Sequence, residues 1–204
     1  MVLADISGGA FYGMLFFSMG VSALTATLWR YEHRGTNWNL LLTHTRHSSG
    51  LVLAKIFTIL SLVAVMQGVL VAGTWVAGVV LGVDGSFPES FLVACCLTVL
   101  LAFPLVALQS LLSMVFRSFS VPIGVGLAGC VAGIGVNYAA GLRAFSAWVP
   151  QGLVMRSLNM GSSAVAGMGD LSVSSVVDLA VPALVVSIVL VLFSVRWFGF
   201  CKRR

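Results

Sequence analysis

The sequence predicts an all-α polytopic membrane protein: five transmembrane helices, a cytoplasmic amphipathic segment and an external re-entrant or interfacial segment. Three observations predict it. Hydrophobic residues make up 59% of the chain and charged residues 8%, with a mean hydropathy of +1.08, whereas an ordinary soluble domain is roughly 25% charged. Apolar runs of bilayer length follow one another with short polar breaks, and in lipid only helices or closed barrels satisfy the backbone. No run shows the alternating polarity over about ten residues that a barrel strand requires.

Five runs are long and apolar enough to span, all within one transmembrane domain covering 1–204: about 8–29, 51–81, 91–116, 122–140 and 176–198. The first ends against Arg30, and the second opens with Lys55 at the lipid boundary. Pro104 in the third and Pro182 in the fifth are expected to kink their helices. Cys95, Cys96 and Cys130 lie inside apolar runs, where a thiol behaves as a small hydrophobe, and Cys201 sits at the membrane edge beside Lys202. Residues 141–175, with Phe145, Trp148, Pro150 and Met155, are half-apolar and too broken to span. They fit an interfacial or re-entrant helix pair with Trp148 at headgroup depth, followed by a flexible loop from Gly161 to Ser175.

Orientation follows from the basic residues, because cytoplasmic loops are enriched in Lys and Arg. One set of loops holds Arg30, Arg34, Arg46, Lys55, Arg117, Arg196, Lys202, Arg203 and Arg204; the other holds only Arg143 and Arg156. The first set is expected to be cytoplasmic, with the C-terminus, in a bacterial cell membrane. The net charge of +5 is then a topology signal. The cations form no stripe with interleaved aromatics, which speaks against nucleic acid as a partner. Five spans put the N-terminal MVLADIS outside, without a basic n-region or a cleavage site. Either that short tail is translocated directly, or a preceding span is absent from the chain.

The most informative polar stretch is the loop 30–50, continuing to Lys55: RYEHRGTNWNLLLTHTRHSSGLVLAK. Gly35 breaks the first helix, and Trp38, Leu40, Leu41 and Leu42 form an apolar patch that a solvated linker would not need. Such a segment suits packing on a partner or on the membrane surface.

Glu32, Gly35, Thr36, Trp38, Leu41, Leu42, Arg46 and Lys55 together resemble the first cytoplasmic loop of type-2 ABC exporter permeases. The tryptophan and its spacing look most like permeases of lantibiotic and bacteriocin self-protection systems, including bacitracin-type efflux. Those permeases often carry a proline shortly before the arginine, where Thr45 stands here. The resemblance implies that the loop forms a coupling helix seated on a separate ABC ATPase subunit that binds the ATP. It also implies a second permease subunit, identical or similar, and six spans with the coupling loop after the second. This chain then reads as a member lacking the first span.

Other patterns are weaker. Gly124 to Gly129 match G-x-G-x-x-G but lie inside an apolar run without a preceding strand or a later acid, so helix packing through Gly124, Gly129 and Gly133 is expected instead. Gly68, Gly73 and Gly78 are candidates for a similar use. His44 and His47 could share a helical face, but with no cysteine and no acid nearby other than Glu32 they make no metal site. Intramembrane polar residues are functional candidates by default: Gln67, Gln109, Asn137 and, at the outer edge of the last run, Asp178. The amides either bond neighbouring helices or line a substrate path. No Ser/His/Asp set, H-E-x-x-H or G-x-x-x-x-G-K-[ST] occurs, so the chain is expected to be neither an enzyme nor a cofactor binder. The expected function is export of an amphipathic peptide or antimicrobial, the alternative being a non-transporting scaffold. A channel or secondary carrier is disfavoured, since neither inverted repeats nor midplane charges are evident.

Overall fold

The computed structural model describes residues 12–34, 48–82, 89–139, 141–160 and 171–203. A π-helical stretch, Tyr12–Phe17, leads into α1 (Ser18–Arg30). There follow α2 (Ser48–Val80), α3 (Glu89–Leu101), α4 (Phe103–Val115) and α5 (Ser120–Tyr138), then a 3-10 turn, Arg143–Trp148, α6 (Pro150–Asn159) and α7 (Val173–Arg203). Among the described residues all regular structure is helical.

Four stretches are long and apolar enough to cross a membrane: Ser49–Val80, Glu89–Val115, Ser120–Asn137 and Val173–Cys201. They correspond to the second to fifth expected runs. The first expected run is described from Tyr12 onward as the π stretch and α1, and is not among the four. Helix α2, with 33 residues, is about 50 Å long at 1.5 Å per residue, longer than the roughly 30 Å hydrocarbon core. It ends at Gly82, whose φ of +65° takes the left-handed conformation that favours glycine after a helix.

The third run is two helices divided at Ala102. Pro104, in the first turn of α4, has no N–H for the carbonyl of Leu100, and its ring crowds that carbonyl. Helix α7, by contrast, runs unbroken through Pro182. It starts a turn earlier than expected because Ser172 caps it: the Ser175 N–H donates to Ser172 Oγ at 3.3 Å.

Helices α1 and α4 form the centre. Phe17 of the π stretch, Val21 and Trp29 of α1 and Leu105, Val106 and Ala107 of α4 are fully buried, clustered with Val52, Ile56 and Ile59 of α2 and Phe198 of α7. Helices α2 and α7 flank this core with apolar side chains outward, among them Phe57, Val69, Ile188 and Leu192. Only 22% of each of their apolar windows is buried, against 50% for Glu89–Val115, the condition of helices whose outer face meets lipid.

The segment after α5, expected to be an interfacial or re-entrant helix pair, consists of the 3-10 turn and α6. Phe145 and Trp148 are exposed, but α6 turns inward and buries Gln151, Gly152, Leu153, Val154, Met155, Ser157 and Asn159. Two of its buried polar side chains bond locally or across a helix contact: Ser157 Oγ donates to the Val154 carbonyl at 2.9 Å and lies 2.9 Å from Thr98 Oγ of α3, and Asn159 Nδ2 donates to the Met155 carbonyl at 2.8 Å. The later part of the expected loop, 161–170, lies outside the described residues.

Glycines let α6 approach α5. A Cβ at Gly133 would sit 3.1 Å from the Gly152 nitrogen, and one at Gly129 would collide with the Gln151 side chain. At Gly124, the other glycine expected to pack, a Cβ meets nothing within 4 Å. The third close-packing glycine of α5 is Gly126, set against Ser22 of α1 and Gln109 of α4. Gly68, Gly73 and Gly78 of α2 likewise have open space around them.

Candidate functional site

The C-terminal ends of α1 and α4 meet the N-terminal ends of α2 and α5 at one end of the bundle, which carries Arg30, Arg34, Lys55 and Arg117. Helix α1 runs out in a turn in which the Glu32 and His33 N–H groups donate to the Trp29 carbonyl at 3.1 and 3.3 Å. Lys55, near the start of α2, reaches back into that turn. Its Nζ lies 2.8 Å from Glu32 Oε1, donates to the Leu28 carbonyl at 3.3 Å, and sits 4.8 Å from the centre of the Trp29 ring. The side chains of Lys55 and Glu32 are only 12% and 22% exposed, so water competes weakly for this pair.

Trp29 extends the connection to α4. It is fully buried, and its Nε1–H donates to Ser110 Oγ at 2.9 Å. His33 adds a second link: its Nε2 lies 3.0 Å from the Ser113 carbonyl. A carbonyl only accepts, so this nitrogen carries the hydrogen, and it serves one of the carbonyls left open at the end of α4. Helices α1, α2 and α4 are therefore fastened at one point by an ion pair, a cation–π contact and three hydrogen bonds.

Of the residues expected to couple to an ATPase, the structure brings Glu32 and Lys55 together. Gly35, Trp38, Leu41, Leu42 and Arg46, and with them the expected coupling helix, lie outside the described residues, as do His44 and His47. Trp29, Ser110 and Ser113 were missed by sequence reading. The signal for Trp29 was its spacing: a tryptophan three and four residues before Glu32 and His33 shares their helical face. Nothing local marks Ser110 or Ser113.

The expected intramembrane polar residues divide. Asn137 is a packing amide, its Nδ2 donating to the Gly133 carbonyl at 2.8 Å and, across to α6, to the Gly152 carbonyl at 3.4 Å. Asp178 is exposed at the start of α7. Gln67 and Gln109 are 3% and 0% exposed, yet neither amide has a hydrogen-bond partner among the described residues. Gln109 faces the junction of α1, α4 and α5 beside Gly126.

A buried unsatisfied polar group costs about 1–3 kcal/mol. Gln109→Leu is accordingly expected to raise the thermal midpoint in detergent by a few degrees, at roughly 2–4 °C per kcal/mol for a chain of this size, while lowering any transport that uses this amide. A lowered midpoint would show that Gln109 is held by a bound partner and serves the fold.

These features define a polytopic helical membrane protein with neutral polar groups in its interior and a fastened basic end. The chain belongs to the ABC-2 family transporter proteins: the family model matches residues 2–133, well over half of the chain and including both Glu32 and Lys55. No curated protein and no solved structure gives a significant match. Membership makes the chain a multi-pass membrane permease subunit of an ABC transporter, which works in association with ABC ATPase subunits, in a family that is a transport component and not normally catalytic itself.

Proposed function

We propose that this permease subunit exports an amphipathic or hydrophobic compound, an antimicrobial peptide being the class that best fits, and that its basic end, facing the cytoplasm with the C-terminus, receives the stroke of the ATPase. Two permease subunits, identical or similar, stand on two ATPase subunits. The observation that carries this reading is the Lys55–Glu32 clamp. Residues 35–47 leave from the end of α1 and return at the start of α2, and the clamp ties those two ends together. A push delivered to the segment containing Trp38, Leu41, Leu42 and Arg46 would then move α1 and α2 jointly, and α4 with them through Trp29 and Ser110.

The cargo class rests on the interior. The side-chain polar atoms of Gln67, Gln109 and Ser113 are buried, neutral and without hydrogen-bond partners among the described residues, which supports a path for groups that need hydrogen bonds without a counter-charge. An amphipathic molecule drawn from the membrane has that character.

The test is co-purification. The ATPase subunit is expected to be retained by the native protein and lost on Trp38→Ala combined with Leu41→Ala, with the permease still folded. An undiminished complex would overturn the coupling role and favour a scaffold.

A further inference from the structure

Beside the clamp lies a shallow cleft, open to the surface, between the ends of α1 and α4 and the start of α5, lined in part by Arg30, His33, Ser113, Arg117, Ser118 and Phe119. We propose that this cleft binds the phosphate headgroup of an anionic phospholipid. The inference needs only that the chain is a membrane protein and does not rest on the export reading.

The charges come first. Among the described residues no acidic side chain lines the cleft, and the nearest in sequence, Glu32, is engaged by Lys55. Among the described residues neither Arg30 nor Arg117 has a carboxylate within ion-pair distance. Arg30 lies over the Phe119 ring at 5.5 Å, which orients its guanidinium while leaving the edge donors of the fork available to an anion.

Neutral donors point to the same ligand. Ser113 is 2% exposed, and its Oγ has no hydrogen-bond partner among the described residues. Helix α5, 19 residues long, begins here with Phe119 at its N-cap and no side-chain cap, so its first N–H groups and the positive end of its dipole favour an anion. The opposing dipole of α4 ends in carbonyls, and His33 already engages that of Ser113.

The rim selects the source of the phosphate. Phe116 and Phe119, 43% and 37% exposed, stand beside the two arginines at the end of membrane-spanning helices. A free phosphate has no use for apolar walls, whereas a phospholipid places its charged group against the cations and its glycerol and upper acyl carbons against the rings.

The experiment is lipid retention by the full-length protein, read by native mass spectrometry after exchange into mixed micelles of phosphatidylglycerol and phosphatidylcholine. Phosphatidylglycerol is expected to be retained in preference, and Arg30→Gln with Arg117→Gln to reduce that retention on the order of tenfold, the loss of charge-assisted hydrogen bonds. Excess inorganic phosphate should not displace the lipid. Equal retention of the two lipids, unchanged retention in the double variant, or displacement by phosphate alone would each overturn the proposal. Should the glutamine variant fail to fold, Arg30→Lys with Arg117→Lys decides. It keeps both charges but removes the planar forks, so a smaller fall in retention is expected and no fall refutes the site.

Discussion

Gly152→Ala is expected to lower the thermal midpoint of the purified protein by several degrees, and Gly124→Ala to leave it unchanged or raise it slightly. The two substitutions add the same methyl group within one pair of packed elements, so the difference isolates where helices touch. At Gly152 the added Cβ would lie 2.6 Å from the Ser146 carbonyl oxygen and 3.3 Å from Asn137 Nδ2. The first neighbour is backbone and cannot rotate away. The 3-10 turn must shift from α6, and overpacking of this kind costs about 1–3 kcal/mol. At Gly124 the methyl meets nothing within 4 Å, and alanine is the better helix former by up to about 1 kcal/mol. Thermal unfolding in detergent, followed by circular dichroism, reads both. Equal midpoints for the two variants would mean that α6 does not pack against the 3-10 turn and α5 as described.

That pair of glycines also shows where the sequence stops being informative. Apolar length was sufficient to place α2, α5 and α7, because lipid forces any long apolar run to become a helix. Which side of α5 meets a neighbour was not legible, since the run is apolar all round and its glycines are spread over several faces. Gly129 and Gly133 could be picked out by spacing, whereas Gly126 matters only because Ser22 and Gln109 happen to stand opposite.

The same limit applies to α6. Sequence alone leaves interfacial and re-entrant placements both open for its Gln151, Arg156, Ser157 and Asn159; local hydrogen bonds, with Arg156 Nη1 3.4 Å from Ser146 Oγ, let most of these polar groups be buried. Ser172 as a helix cap was visible in principle, since a serine before an apolar run is a start signal. The contact of Trp29 with Ser110, 81 residues apart, leaves no local trace. Glu32 and Lys55 were legible only as members of a pattern, and the structure adds that they touch.

Their contact makes an asymmetric prediction. Lys55→Ala is expected to damage both stability and ATPase-coupled transport more than Glu32→Ala, although the two residues share one ion pair. Among the described residues the Glu32 side chain enters the clamp through that pair, while Lys55 also donates to the Leu28 carbonyl and lies against Trp29. Removing the lysine thus strips a partner from the carboxylate, from a helix-end carbonyl and from the indole face at once. The pair is mostly shielded, so its loss falls between the roughly 0.2–1 kcal/mol of an exposed pair and the 3–5 kcal/mol, roughly, of breaking a buried one.

A double-mutant cycle separates the shared part from the rest. With the pair intact as described, the double variant should be less damaging than the sum of the single ones, by roughly 0.5–3 kcal/mol. Stability gives one cycle and ATPase activity of the assembled transporter gives a second. A clamp that transmits the stroke requires coupling in both. Coupling in stability with additive effects on ATPase activity would reduce Lys55–Glu32 to a structural staple, and additivity in both would deny that the two ends of the loop are tied at all.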